Sequence, residues 1–498
     1  MRRFPIIQTM PISRFLLAMF SLGLINAPIL RSAETRPNII MMLVDDFGYG
    51  DLSCYPHLGE VSTPQIDQLA QSGVRMMQAY ATPVCSPTRT SLLTGRFAER
   101  VGVYGNYDGS NPGVGPLRDS FPPLLQAAGY RTAWLGKWHQ GWDVSNHPLN
   151  NGFDLAFGFL GGMHDYYDAT NGDHYIGGPF APHAYMFDGF RPVKRIKYLT
   201  EELTDRAIGF IREEHRSPFF LYLAYNAPHT PFQAPDEVIR KYLKPGVDPV
   251  MAVRRAMIEV LDTSVGRVRE ALRERGLEKD TLVVFMSDNG GDNQSFNGGL
   301  RGTKMTAWEG GIRVPLIASW PGKIPAGSVS ESICCLPDLP ATFLNLARTG
   351  EQIVSGDGVD LMPFWTGKHS GNAHEGLVWA LEIQGPAGTQ PTPDNVALLA
   401  VRSGQWKLVR DQKREIDALY NLSADLPEAQ DLSKENPEKK TELLAQAAAY
   451  LKDCPPSCGL MANRDTRAQG DKIRIQALRA HCKELLGESA KAGQGAQP

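Results

Sequence analysis

Asn38-Ile39-Ile40-Met41-Met42-Leu43-Val44-Asp45-Asp46 is the most informative stretch of this chain for its fold, because an unbroken apolar run leads directly into two carboxylates. A short apolar run of this kind predicts a strand that is buried on both faces. Such strands are typical of parallel sheets covered by helices. The two carboxylates would then lie at the C-terminal end of the strand, the edge at which open α/β sheets bind ligands.

Similar apolar segments recur along the chain and alternate with amphipathic ones. Residues 130–135, 218–224 and 281–286 predict further strands, and residues 199–212 and 250–275 predict helices. The alternation predicts an α/β fold with a large, mostly parallel sheet sandwiched by helices.

The pattern changes towards the C-terminus. Residues 396–401 and 406–409 predict a β-hairpin, and residues 437–451 predict a helix. We therefore expect a large domain over residues 34–374 and a smaller C-terminal α+β domain, with an antiparallel sheet, over residues 375–488.

The two ends of the chain differ from the rest. Arg2 and Arg3 precede an apolar run at residues 15–30, which predicts an export signal over residues 1–33 and a periplasmic or secreted protein. The alternative is an uncleaved membrane anchor, although the apolar run is short for a stable membrane span. Residues 489–498 are rich in Gly, Ala and Gln and predict a disordered tail.

Composition excludes some classes of function. A formal net charge of -3 argues against a nucleic-acid-binding protein. Seven cysteines are too few for a disulfide scaffold. Cys454 and Cys458 could form a small disulfide loop, and their pairing with Cys482 stays open. Cys334 and Cys335 lie in an apolar, helix-like stretch, residues 333–346, and are expected in the core.

Polar side chains follow several of the predicted strands. Asp45 and Asp46 follow the first, and Asp288 and Asn289 follow the strand at residues 281–286. An isolated pair of this kind usually forms a turn or a helix cap. Two pairs at matching strand ends instead predict a site for Ca²⁺ or Mg²⁺, since both ions prefer oxygen ligands.

Cys85-Ser86-Pro87-Thr88-Arg89 places a cysteine at a helix start, with an arginine one turn later. A lone cysteine is most often a small buried apolar residue, and next most often a reactive thiol. Neither interpretation explains why this spacing occurs together with the two acidic pairs.

Four further residues could surround an oxyanion. Lys137 and His139 follow a predicted strand and, by the two-residue alternation of strands, would face the same side. His229 lies in a proline-rich loop after another strand, and Lys304 lies in a glycine-flanked loop. Cations and histidines of this kind would stabilise negative charge and transfer protons.

The chain resembles the type I sulfatases of the alkaline phosphatase-like superfamily from Asn38 to about Leu432. The resemblance rests on the Cys-x-Pro-x-Arg motif at Cys85, on Leu93-Thr94-Gly95-Arg96 after it, on the two acidic pairs, and on the segment from Trp308 to Pro315. It implies that a separate maturation enzyme oxidises Cys85 to formylglycine, whose hydrate is the nucleophile.

The resemblance also implies roles for the remaining residues. One Ca²⁺ would be bound by Asp45, Asp46, Asp288, Asn289 and the modified residue 85. Arg89 and Lys137 would hold the formylglycine hydrate, and His139 would take its second hydroxyl proton. His229 and Lys304 would bind the sulfate and assist the leaving alcohol.

Two alternatives to a sulfatase remain. A phosphoester or phosphonate hydrolase of the same superfamily could use the same motif, and a non-catalytic protein on this fold could bind sulfated glycans. We expect a sulfated glycan or small molecule as substrate, carbohydrate rather than aryl. Residues 102–117, residues 161–190 and the smaller domain are candidates for its recognition, and residues 161–190 are rich in His, Asp and Tyr, which suits a sugar.

Overall fold

The computed structural model describes residues 36–56, 61–106, 117, 120–172, 184–349, 356–384, 388–457 and 475–486. The predicted export signal, the predicted tail and Cys458 lie outside these residues, as do parts of both candidate recognition segments.

The large sheet has ten strands in the described part of the chain, in the order β10-β2-β9-β8-β1-β7-β3-β4-β5-β6. Their bounds are β1 (Asn38–Val44), β2 (Val74–Tyr80), β3 (Arg131–Lys137), β4 (Leu155–Phe159), β5 (Met186–Asp188), β6 (Arg191–Pro192), β7 (Phe219–Ala224), β8 (Thr281–Ser287), β9 (Arg313–Ser319) and β10 (Ser328–Cys335). The central strands β8, β1, β7, β3 and β4 are parallel, whereas β9 and the edge strands β5 and β6 pair antiparallel.

Helices cover the sheet. They are α1 (Pro64–Gln71), α2 (Cys85–Thr94), α3 (Phe121–Ala127), α4 (Leu199–Arg212), α5 (Asp236–Tyr242), α6 (Pro249–Glu274), α7 (Glu309–Ile312), α8 (Asp338–Ala347), α9 (Met362–Trp365) and α10 (Pro437–Lys452). Residues 475–486 are also helical. In the described residues, no helix has both the length and the apolar character needed to cross a bilayer.

Strand β1 shows why the sheet is covered on both faces. Ile40, Met42 and Val44 pack into one apolar core with α4 and α6. Ile39 and Leu43 point the other way, into a second core that includes α3 and α8. Each fully buried side chain contributes roughly 1.5–3 kcal/mol. The predicted α/β sheet sandwiched by helices is therefore confirmed.

A second, antiparallel sheet lies in the C-terminal part, in the order β11-β12-β13-β14. Its strands are β11 (Gly376–Ile383), β12 (Val396–Ser403), β13 (Trp406–Asp411) and β14 (Ile416–Asn421). Helix α10 packs Leu443 and Leu451 against Leu399 and Leu408 of this sheet. The predicted hairpin, β12–β13, and the predicted antiparallel sheet are confirmed.

A cluster of buried charged side chains and one tyrosine joins the two sheets. It is here called the inter-sheet junction and consists of Tyr80, Glu309, Arg313, Lys407 and Glu428. The fully buried Lys407 ammonium lies 2.8 Å from a carboxylate oxygen of Glu309 and 2.8 Å from one of Glu428. Glu309 also accepts hydrogen bonds from the Tyr80 hydroxyl (2.8 Å) and from Arg313 (3.2 Å). Each of these charges therefore has a partner of opposite sign.

One sequence-based expectation is wrong. Cys334 and Cys335 end strand β10 rather than lie in a helix, and α8 begins only at Asp338. The alternating burial of Ser328 to Glu331 shows the strand period, and Pro337 separates strand from helix. Both cysteines are nevertheless buried in the core, as expected.

Candidate active site

The two acidic pairs meet because β1 and β8 are adjacent parallel strands in register. Val44 pairs with Ser287, so the next residues, Asp45 and Asp288, emerge side by side at the C-terminal edge. The Asp46 amide donates to Asp288 Oδ1 (3.4 Å), and Asn289 Nδ2 donates to Asp46 Oδ1 (2.8 Å). All four side chains are buried.

Cys85 is the first residue of α2 and faces this acidic cluster. Its thiol donates to Asp45 Oδ1 at 3.5 Å and accepts from Lys304 Nζ at 3.2 Å. Only 1% of the residue is exposed. Cys85 therefore lies at the centre of the cluster and not on the protein surface.

Arg89 comes one turn later on the same buried helix. Its Nε and Nη2 atoms donate to Asp288 Oδ2 at 3.1 and 2.9 Å, and its Nη1 donates to the Lys137 carbonyl at 2.9 Å. The guanidinium thus links α2 to the ends of β8 and β3. Its Nη2 also lies 3.8 Å from Asp45 Oδ2, and the other oxygen of that carboxylate accepts from the Cys85 thiol.

Lys137 ends β3 and reaches the same cluster, with Nζ 2.5 Å from Asp45 Oδ2. His139 lies beyond the strand, with a positive φ of 56°. The predicted strand alternation therefore does not extend to His139, because the backbone leaves the extended conformation first.

Lys304 and His229 complete the group from two loops. Lys304 Nζ lies 2.6 Å from Asp46 Oδ1. Two backbone hydrogen bonds hold its loop, one from the Lys304 amide to the Gly291 carbonyl (2.8 Å) and one from the Met305 amide to the Pro83 carbonyl (2.9 Å). His229 Nε2 lies 3.7 Å from Asp46 Oδ2. Its Nδ1 lies 2.6 Å from the Thr230 carbonyl, which can only accept, so Nδ1 carries a proton.

Burial and neighbouring charges determine the protonation states. Burial alone would raise the pKa of Asp46, but Lys304 and then His229 hold that pKa well below its usual range. Burial, with Asp288 and Asp45, raises the pKa of Cys85 to about 12 despite Lys137 and Lys304. At neutral pH the carboxylate is therefore ionised and the thiol is protonated.

The cluster fits a hard divalent cation. Asp45, Asp46, Asp288 and Asn289 offer oxygen ligands, which suit Ca²⁺ or Mg²⁺. Asn289 Nδ2 donates to Asp46 and to the Gly290 carbonyl (2.8 Å), whereas its Oδ1 is buried without a hydrogen-bond partner among the described residues. A buried acceptor of this kind needs a partner, and a cation would supply one.

Comparison with known proteins agrees with this geometry. Residues 37–349 match the family model described as Sulfatase. The chain belongs to the sulfatase family. It is 35% identical over 376 residues to the N-acetylgalactosamine-6-sulfatase of Mus musculus, covering 70% of this chain and 69% of that protein.

Two further relatives support the family assignment. The arylsulfatase H of Homo sapiens is 31% identical over 434 residues, covering 69% of this sulfatase and 75% of the human protein. The crystal structure of Ps i-CgsB in complex with k-i-k-neocarrahexaose superposes with a TM-score of 0.77 at 30% identity, covering 88% and 98% of the two chains. This sulfatase is therefore an enzyme that hydrolyses sulfate esters.

The structure adds supporting residues that sequence reasoning missed. Arg254 of α6 is buried and donates to the Asp46 carbonyl (3.2 Å) and to both carboxylate oxygens of Asp51 (3.0 and 2.6 Å). It thereby holds Asp46 in its unusual backbone conformation, with φ 62°. The available signal was an arginine on the apolar face of a helix, four residues after Val250.

Gln140 has a similar supporting role at α2. Its Nε2 donates to the Ser86 carbonyl (3.0 Å), and its Oε1 accepts from the Thr90 hydroxyl (2.8 Å). Gln140 therefore fixes the N-terminal turn of the helix that carries Cys85. No sequence pattern indicates this role, because the contact depends on how β3 and α2 meet.

Proposed function

We propose that this sulfatase removes sulfate from a carbohydrate, releasing an alcohol and inorganic sulfate, and that its nucleophile derives from Cys85 oxidised to formylglycine. The observation that carries the proposal is the position of Cys85. The thiol lies 3.5 Å from Asp45 and 3.2 Å from Lys304, and its pKa of about 12 leaves it protonated. A protonated thiol is a poor nucleophile. Formylglycine supplies instead a hydroxyl nucleophile that can later release sulfate.

We propose that Ca²⁺ is bound by Asp45, Asp46, Asp288, Asn289 and residue 85. When bound, it polarises the sulfate oxygens and offsets the three buried carboxylates. The unpartnered Asn289 Oδ1 supports this ligand set.

The cationic side chains then have distinct roles. Arg89 and Lys137 orient residue 85, and both are held by Asp45 or Asp288. Lys304 stabilises negative charge that develops on the sulfate. His229 carries a proton on Nδ1, turned to Thr230, so Nε2 is the atom that would exchange a proton with the leaving alcohol. We assign proton transfer at residue 85 to His139, which follows the end of β3.

Relatives support a carbohydrate as the substrate class. One is named N-acetylgalactosamine-6-sulfatase, and another was crystallised with k-i-k-neocarrahexaose. We further propose that a maturation enzyme modifies Cys85 and that residues 1–33 direct export, because an apolar run follows Arg2 and Arg3.

The test combines mass spectrometry with turnover. Protein produced together with a formylglycine-generating enzyme should show the mass loss of a thiol-to-aldehyde conversion at Cys85. It should hydrolyse sulfated mono- or oligosaccharides, whereas unmodified protein should not. Preferential cleavage of the matching phosphate esters would instead support the phosphohydrolase alternative. Full modification without turnover on any sulfate ester would support the glycan-binding alternative.

Removal of the metal tests the ligand set separately. Chelation should lower kcat/KM by about 100-fold or more, and added Ca²⁺ should restore it. In unmodified protein, Ca²⁺ at 100 times its Kd should raise the free energy of unfolding by about 2.7 kcal/mol. An Asn289→Leu variant should lose most of that Ca²⁺-dependent gain. Equal gains in both proteins would contradict the assignment of Asn289.

A further inference from the structure

Asn226 carries a buried amide that has no role in the proposed mechanism. It lies at the C-terminal edge of the parallel strands, where the candidate active site is found; this edge is here called the catalytic edge. Asn226 is 1% exposed, and neither Nδ2 nor Oδ1 has a hydrogen-bond partner among the described residues. Leaving a buried polar atom unpaired costs about 1–3 kcal/mol. Both ends of one amide are unpaired here, so the missing partner must accept one hydrogen bond and donate another.

The fold places Asn226 beside the nucleophile. It follows β7, whose last residue, Ala224, pairs with Leu43 of β1. The two chains stay together past the strand ends, because the Asp45 amide donates to the Ala227 carbonyl (3.2 Å). Asn226 thus lies next to Asp45, whose carboxylate contacts the Cys85 thiol.

The alternation of β7 indicates which face of the sheet the amide occupies. Tyr222 and Ala224 share an apolar cluster with Leu92 of α2, the helix that begins with Cys85. Tyr225 points to the opposite face, where its hydroxyl lies 2.9 Å from that of Thr204. The parallel pairing with β1 continues past Ala224, since the Asp45 amide donates to the Ala227 carbonyl (3.2 Å), so Asn226 occupies the next position on the α2 face.

The backbone of Asn226 is held by hydrogen bonds, but these bonds leave the polar atoms of its side chain unpaired. The Asn226 carbonyl accepts from the Tyr166 hydroxyl (2.8 Å) and from the His229 amide (2.9 Å). The residue is thereby tied to the loop that carries His229. The unpaired amide is held in place between two elements of the candidate active site.

We propose that the Asn226 amide binds the substrate, with Nδ2 donating to a sulfate oxygen and Oδ1 accepting from a hydroxyl group next to the sulfate ester. This rests on the proposed hydrolysis of carbohydrate sulfates. An amide suits the position because it donates to an anion without adding negative charge to Asp45, Asp46 and Asp288. A sugar sulfate supplies both partners, whereas an aryl sulfate supplies only the acceptor oxygens.

Asn226→Leu tests the proposal, because leucine has a similar size and no polar atoms. Removing an unpaired amide should leave the Tm unchanged or raise it. The matured variant should lose at least about tenfold in kcat/KM on galactose 3-sulfate and galactose 4-sulfate, and less on 4-nitrophenyl sulfate. Inorganic sulfate should also inhibit it more weakly than it inhibits wild type.

Asn38→Leu is the matched control at the opposite end of β1. The Asn38 amide is also buried, but it donates to Thr281 Oγ1 (3.3 Å) and accepts from the Phe219 amide (3.1 Å). Its removal should lower the Tm without changing inhibition by inorganic sulfate. A second variant, Asn226→Asp, keeps the shape of the side chain, and its carboxylate should weaken sulfate binding further.

The outcomes separate this inference from the proposed function. Unchanged kcat/KM and sulfate inhibition in Asn226→Leu would overturn the inference and would indicate that a buried water satisfies the amide. Equal losses on sugar and aryl esters would overturn the hydroxyl contact. If wild type hydrolyses no sulfate ester, the proposed function fails, whereas the Tm shift caused by inorganic sulfate in wild type and variants still decides the role of Asn226.

Discussion

The catalytic edge of the large sheet and the inter-sheet junction both bury clusters of charged side chains, and they differ in how completely these are paired. At the junction, Lys407 lies between Glu309 and Glu428 at 2.8 Å from each. At the catalytic edge, Asn289 Oδ1 and both polar atoms of Asn226 lack partners among the described residues. Charge burial is therefore common to both regions. Glu428 Oε1 of the junction accepts no hydrogen bond from the described residues but has the Lys407 ammonium 2.8 Å away, whereas these unpaired atoms of the catalytic edge belong to neutral amides.

Positive φ values occur in both regions, at Glu428 (54°) of the junction and at three positions of the catalytic edge. Asp46, His139 and Met305 have positive φ values of 62°, 56° and 68° at or beside candidate catalytic residues. Such conformations cost about 1–3 kcal/mol and persist only where the surroundings enforce them. Hydrogen bonds to the carbonyl of Asp46 and from the amides of Asp46 and Met305 enforce two of them. We infer that the catalytic edge is organised for binding at a cost to stability.

The largest effect is expected at Cys85. Cys85→Ala removes the proposed nucleophile, so kcat should fall by at least about 10⁴-fold while the Tm changes little. Steady-state kinetics and thermal unfolding of matured protein would measure both. Cys54→Ala is the control, because burial also raises the pKa of the Cys54 thiol to about 12. Full turnover by Cys85→Ala would rule out the mechanism.

At the inter-sheet junction, the expected effect of a substitution is a loss of stability. Lys407→Met leaves the buried Glu428 carboxylate without its cation, although Glu309 keeps Arg313, so the free energy of unfolding should fall by about 3–5 kcal/mol. Lys413→Met is the control, because the Lys413 side chain is exposed and its pair with Glu382 should contribute less than about 1 kcal/mol. Urea unfolding compares the two, and equal small losses would show that the junction does not depend on its charges.

The smallest effect should come from Glu99, which is buried near the junction and accepts from the backbone amide of Ala380 (3.0 Å) instead of a cation. Burial raises the pKa of Glu99 to about 7, although the Ala380 amide opposes this shift. Folding therefore favours the protonated acid. The stabilising contribution of protonated Glu99 is complete below the pKa of the unfolded state, 4.5, and is lost as the pH rises towards 7.

Glu99→Gln should remove that pH dependence. Relative to the variant, wild type should lose up to about 3 kcal/mol of stability between pH 4.5 and about 7. The Tm of both proteins across this range measures the difference. Parallel Tm profiles would show that Glu99 is ionised in the folded protein at every pH tested.

The sequence was most informative about residues that directly follow a strand. The apolar run of β1 predicted its bounds, and the acidic pairs met because β1 and β8 pair in register. Arg254 and Gln140 could not be predicted, since their contacts depend on how α6 and α2 pack on the sheet. Asn226 was missed because its distinguishing property, the lack of a partner, exists only in three dimensions.

His139 shows the limit of strand periodicity. The alternation of side chains between two faces requires an extended backbone. Strand β3 ends at Lys137, two residues before His139, and His139 itself has a positive φ. The role proposed for His139 rests on family resemblance and stays a prediction.

The burial of Cys85 also constrains the biosynthesis of the protein. With 1% of the residue exposed and every residue of α2 buried, a second enzyme cannot reach this thiol once the sheet and its helices have assembled. Any enzymatic oxidation of Cys85 must therefore precede folding. If the nucleophile is the formylglycine proposed above, we expect molecules that fold with an unmodified Cys85 to stay inactive even when the modifying enzyme is added later.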